Sequence, residues 1–224
     1  MSLLAYAVAE SEAAAIDGEG LDGGPLSTIR SGRVAMVVSH HESRPEPTPQ
    51  ALWRYEEVVE RPMARQSILP ARFGSVLTDE DDAREALRAR HDELWQALAE
   101  VRGAVELGIR GNWTRQPEQP STRSGTDYML GRLDVHRRAE RAASQLDPLR
   151  SLARTSKMKV LPSPSIPFAG AYLVDRERTD EFFELARELG ESLEHADLVC
   201  TGPWPPYSFA EASALDRDLS GAGR

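Results

Sequence analysis

The chain has 224 residues, of which 40% are hydrophobic and 28% charged, with a mean hydropathy of -0.46. That balance fits a folded globular chain of one large or two modest domains, and no apolar run approaches the roughly 18 residues of a membrane span. The net charge of -9 and isoelectric point near 5.2 argue against nucleic acid as a partner, because binding to phosphates depends on clustered cations.

The opening "MSLLAYAVAESEAAAIDG" lacks the cationic start of a secretory signal, so the expected compartment is the cytoplasm. The lone Cys200 permits neither an internal disulfide nor a CxxC metal pair and reads as a small buried hydrophobe. Lys157 and Lys159 are the only lysines, so exposed ion pairs mostly use the planar guanidinium of arginine.

"LLAYAVA", Leu3 to Ala9, and "RVAMVVS", Arg33 to Ser39, have the length and composition of buried central strands. The intervening "GEGLDGGP", Gly18 to Pro25, reads as a surface connection, and "HHESRPEPTP", His40 to Pro49, as an extended mobile loop. Thr48 caps a helix with Pro49 in its first position, and Leu52, Tyr55, Val59 and Met63 recur at helical spacing. Pro62 is expected to end or kink it. Two short strand-like pieces follow over Ser67 to Thr78, separated by Pro70 and Gly74.

A single long helix is expected from a Thr78 cap to about Glu100, with an acidic first turn and the stripe Ala83, Leu87, Leu94, Leu98. "AVELGIR", Ala104 to Arg110, reads as the last strand of a first α+β domain, residues 1–110. Residues 111–125, mixed in glycine, proline, serine and charge, read as a linker. A second α+β domain over 126–211 opens with a helix carrying Tyr128, Leu133 and Leu146, and a second helix starts at Asp147-Pro148. Strands "KMKVL" and "FAGAYLV", a helix with Phe182, Ala186, Leu189 and Leu193, and the strand "DLVCTG" complete it before a polar tail at 212–224.

No residue pattern carries chemistry with any specificity. Gly18, Gly20 and Gly23 spell G-x-G-x-x-G, but they lie beyond a strand and lead into Pro25 rather than a helix, so no dinucleotide site is expected. Adjacent His40, His41 and Glu42 point to opposite sides of an extended chain and read as solvated rather than metal-binding. His91 reads as exposed, and His136 and His195 have no motif around them. A nucleophile elbow, a P-loop and H-E-x-x-H are all missing from the sequence. Catalytic, cofactor and metal residues are therefore all expected to be none.

Three segments stand out from an ordinary surface. In "ILPARFG" Phe73 is expected in the core at a strand bend, with Arg72 pairing a carboxylate. Glu106, in a strand, needs a cationic partner if it faces inward, and Arg72 is one candidate. "TGPWPPYSFAE" contains the PxxP spacing Pro203 to Pro206, yet it directly follows a strand, so packing suits it better than docking to an SH3-type domain.

In order along the chain, "ILPARFGSVL", "VELGIR", "GTDYMLGRL" and "TGPWPPYSF" resemble the gas vesicle protein F/L family. The matching positions are Pro70, Arg72, Phe73, Gly74, Glu106 and Tyr128, then Thr201, Gly202, Pro203, Trp204, Pro205, Pro206, Tyr207, Ser208 and Phe209. The resemblance implies an α+β chain with a modified ferredoxin-like N-terminal domain and a smaller α+β C-terminal domain with a helical arm. It also implies a non-enzymatic accessory or minor structural protein of gas vesicles, without cofactor. Its implied partners are the hydrophobic shell protein and other gas vesicle proteins, with no nucleic acid and no lipid membrane. The implied location is the gas vesicle, and the cytoplasm before or during assembly. The alternative, a ferredoxin-like small-molecule-binding domain or enzyme on the same scaffold, requires a pocket of convergent polar groups around Arg72, Glu106 or His136. The terminal aromatic segment is expected to pack as a strap across the interface between the domains.

Overall fold

The structure is a computed structural model and describes residues 2–12, 16–115, 124–161 and 165–210. Its internal contacts divide the chain into two α+β units, Met1–Ala104 with Trp204–Arg224, and Val105–Pro203. Among the described residues no helix is long and apolar enough to cross a membrane.

The first unit contains strands β1 (Ser2–Glu10), β2 (Leu26–Ser31) and β3 (Val34–His41), helix α1 (Pro49–Met63), strands β4 (Ile68–Pro70) and β5 (Val76–Leu77), and helices α2 (Glu80–Ala89) and α3 (His91–Val101). The sheet order is β2-β3-β1-β4, with β5 also paired to β1, and the β2–β3, β1–β3, β1–β4 and β1–β5 pairs are antiparallel. The unbroken apolar run of β1 is explained by burial on both faces. Leu4, Tyr6, Ala7 and Ala9 share a core with Val58, Val59 and Met63 of α1. Leu3, Ala5 and Val8 are equally buried, and α2 and α3 also pack against this sheet. A register shift between Ala5 and Ala7 moves Ala7 and Ala9 onto the Tyr6 side.

The expected helix from Thr78 is two helices broken at Arg90, with no glycine or proline at the break. Its cap is Asp79, whose carboxylate accepts from the Asp81 and Asp82 amides, while Asp82 accepts from the Thr78 amide at 2.9 Å. The stripe Ala83, Leu87, Leu94, Leu98 is nonetheless buried throughout. Strand β2 was not anticipated, because an edge strand with Ile29 as its one buried residue gives almost no apolar signal. Leu52, counted in the buried stripe of α1, is 41% exposed, and Val58 takes its place.

The second unit contains β6 (Ala104–Trp113), α4 (Gly125–Ser144), a 3-10 helix at Asp147–Leu152, β7 (Ala153–Val160), β8 (Phe168–Asp175), a 3-10 turn at Arg176–Arg178, α5 (Thr179–Ser192) and β9 (Ala196–Trp204). Its sheet order is β7-β8-β6-β9. Strand β6 was expected to end the first domain, before a linker at 111–125. It belongs instead between β8 and β9, and it extends through Trp113. Its alternation puts Val105, Leu107 and Ile109 into a core with Phe168, Tyr172 and Phe182. Tyr172 and Phe182 meet with ring centroids 5.1 Å apart. The expected tail at 212–224 lies outside the described residues.

Candidate functional site

The family-like segments turn out to be anchors of the fold. β4 and β5 both pair with β1, and "ARFGS" is the interruption between them. The Ala71 amide donates to the Tyr6 carbonyl and the Ala5 amide to the Ser75 carbonyl, so β1 stays paired on both sides of the gap. Tyr55 reaches the gap from α1. Its hydroxyl lies 2.8 Å from the Ala5 carbonyl and 3.0 Å from that of Ala71, and burial pushes its pKa well above the usual tyrosine value. Its ring stacks on Tyr6 and meets the edge of Phe73. Pro70 is buried, Arg72 is exposed, and Gly74 has φ +79°, a conformation that favours glycine.

The terminal motif is split between the units. Thr201, Gly202 and Pro203 close β9 in the second unit, while Trp204 onward belongs to the first. Pro205 and Pro206 are buried, and the Phe209 and Ala210 amides both donate to the Pro206 carbonyl. Tyr207 packs against the Tyr6–Tyr55 core and donates to Glu56 Oε1 at 3.0 Å. Burial raises the pKa of Glu56, and that hydrogen bond opposes the rise. Ser208 and Phe209 are half-buried, and Trp204 is 39% exposed. Thus Phe73 and Tyr207, far apart in sequence, converge on one aromatic core. Glu106 is half-buried in the second unit, and Tyr128 is exposed on α4.

One concavity of the first unit was not foreseen. It is an open groove of about 1100 Å³ between the 18–25 loop, the 41–48 segment and α1. From the 18–25 loop Leu21, Asp22 and Gly24 line it, and the three glycines of the apparent nucleotide motif do not. Gly20 lies so close to the strands that a Cβ there would sit 2.5 Å from Ser39 Oγ and 2.7 Å from the Tyr6 hydroxyl. Tyr6 in turn contacts Ser39 Oγ and accepts from the Leu21 amide. Asp22 reaches His41 Nδ1 at 2.6 Å, and His41 Nε2 is buried with no hydrogen-bond partner among the described residues. His41 was expected to be solvated in a loop. It is buried because β3 runs two residues further than its apolar run, alternating exposed His40 with inward His41.

Trp53, 73% exposed on α1, stands at the groove wall beside Arg54, which pairs with Glu57 at 3.1 Å. The groove is lined by none of Arg72, Glu106 or His136. His91, expected to be simply exposed, accepts from the Arg33 amide and closes against the β2–β3 turn. Cys200 is half-buried, and burial pushes its thiol pKa up to about 11, which keeps it protonated at neutral pH. Among the described residues no three His, Cys, Asp or Glu side chains are grouped to hold a metal ion. What this surface offers chemically is binding area with an aromatic anchor.

A sequence model of the family described as "Gas vesicle synthesis protein GvpL/GvpF" matches residues 2–211. Gas vesicle protein L of Streptomyces sp. (strain CB03234) is 32% identical over 181 residues, covering 70% of this chain and 67% of that protein. Gas vesicle protein F1 of Halobacterium salinarum is 24% identical over 216 residues, covering 94% of this chain and 93% of that protein. In three dimensions the chain is similar to the crystal structure of GvpF from Anabaena sp. PCC7120, with a TM-score of 0.81 and 16% identity over 93% of this chain and 95% of that one. GvpF from Microcystis aeruginosa gives a TM-score of 0.80 and 18% identity, over 93% and 98%.

Proposed function

The chain belongs to the gas vesicle synthesis protein GvpL/GvpF family, and from that premise we propose that it is a non-enzymatic assembly protein that binds the hydrophobic gas vesicle shell protein. The family match over nearly the whole chain carries this reading. A shell subunit with a face destined for gas is aggregation-prone until assembled, and a partner that covers that face limits misassembly without needing a cofactor. The contact surface in this reading is the first unit around Trp53, where an exposed aromatic beside a groove has the character of an interface anchor. The protein acts at the growing gas vesicle.

Co-expression with the shell protein tests the reading. Affinity capture of this chain is expected to retain the shell subunit, and Trp53→Ala to reduce the retained amount at least about fivefold with the fold intact. Absence of the shell subunit from the captured material, together with normal vesicles in cells lacking this chain, rejects it.

A further inference from the structure

The second unit has a pocket of about 270 Å³ where α4, the end of α5 and the ends of β6 and β9 meet. Its apolar lining comes from Trp113, Ala142, Leu193 and Ala196, and its volume suits one large side chain. Arg138, Arg141, Gln145, Glu194 and His195 complete the lining, and two features of it stand out. The indole Nε1 of Trp113 is buried with no hydrogen-bond partner among the described residues, which leaves a donor short of an acceptor. Arg141 has no carboxylate partner among the described residues, and its Nε donates only to the Arg137 carbonyl at 3.3 Å. Of the other charges at the rim, Arg138 is matched by a carboxylate, and Glu194 has only a neighbouring imidazole. Arg138 pairs with Asp134 at 2.7 Å, and Glu194 lies 3.8 Å from His195.

The same face of α4 continues away from the pocket. Residues 130, 134, 138 and 142 form one i, i+4 row, and Leu130 at its far end is 59% exposed. The row from Leu130 to the pocket at Gln145 is about 22 Å long, the span of about seven residues of extended chain. An apolar side chain suits each end, with a carboxylate near Arg141 between them and a backbone carbonyl of the same segment as acceptor for the Trp113 indole. We infer that this face is a docking site for an acidic segment of a partner protein, which seats an apolar side chain in the Trp113 pocket, pairs a carboxylate with Arg141 and covers Leu130 with a second apolar group. Charge complementarity selects the partner: a basic or neutral apolar segment leaves Arg141 desolvated and unpaired. The site lies on the second unit, so it stands or falls independently of shell-protein capture through Trp53.

The test uses the full chain and a fluorescein-labelled peptide, GLDEEALFG, with GLNQQALFG as its neutral counterpart. Saturable binding of the acidic peptide is expected, weakened at least about tenfold by Arg141→Ala and by the neutral sequence, as for loss of a charged hydrogen-bonding partner. Leu130→Glu, at an exposed position, is expected to weaken it too through repulsion. In a 1H–15N spectrum the Trp113 indole resonance, assigned by its loss in Trp113→Phe, is expected to move on binding. Equal binding of the two peptides, unchanged binding by Arg141→Ala, no binding at all, or the same indole shift with acetate or inorganic phosphate alone each overturns the inference, the last by reducing the site to one for simple anions.

Discussion

The two units use the same elements, an antiparallel sheet with helices around buried aromatic rings, yet they bury their sheets differently. In the first unit β1 is fully buried from Leu4 to Ala9, with Tyr6, Tyr55 and Phe73 packed on one side. In the second, β7 alternates half-buried and exposed residues, with Arg154, Lys157 and Lys159 outward. A strand covered on both faces has no position where a charge can reach water, whereas a half-covered strand has one at every second residue. Binding features follow the same division: in the first unit a groove lies beside a sheet already saturated with contacts, and in the second an apolar pocket opens where helix ends meet strand ends.

Charge placement is the strongest way to break this contrast. Val8→Asp buries an unpaired carboxylate and is expected to cost more than about 4 kcal/mol and to abolish cooperative folding of the first unit, whereas Lys159→Asp on β7 is expected to stay within about 0.5 kcal/mol; urea denaturation followed by circular dichroism separates them. Phe182→Ala, which empties the ring packed on Tyr172, is expected to destabilise the second unit by about 3–5 kcal/mol in the same measurement. Tyr55→Phe keeps the ring but deprives the carbonyls at the β4–β5 interruption of their donor, an expected loss of about 1–3 kcal/mol. Asp79→Ala removes the α2 cap and is expected to lower stability by about 1 kcal/mol.

The smallest effect concerns pH. Burial raises the pKa of Glu56 above its unfolded value, so the native state holds this proton more tightly. Its contribution to stability therefore falls as pH rises through the carboxylate range and stays reduced above it. Glu56→Gln keeps an acceptor for Tyr207 without the charge. The variant is expected to be at least as stable as the parent at pH 7, with the difference vanishing as both are titrated to acid. A variant clearly less stable at pH 7 than the parent contradicts this account.

Tyr55, Val59 and Met63 on α1, the interrupted strand around "ARFG" and the stripe from Ala83 to Leu98 were all legible before folding, because each is a local periodicity or a turn constraint. The helix break at Arg90 was not legible: the apolar positions on either side stay in phase, as they would in one continuous helix. Nor was the His41–Asp22 pair, since one residue ends an apolar strand and the other sits in a glycine-rich loop that only folding brings to it.

The sequence by itself determined most of the strands and helices, though neither β2 nor the break at Arg90, which of their residues are apolar, and, through ordered motifs near Pro70, Glu106, Tyr128 and Trp204, a resemblance to one family. Tertiary structure alone decided that β6 joins the second sheet, that the terminal motif divides between the units after Pro203, and that Tyr207 meets Glu56 on the core shared with Phe73. The reason is physical. Periodicity records which face of an element avoids water, but it carries no label for the partner that covers that face, and the pairing of distant segments is settled only when the whole chain competes for the same buried surface.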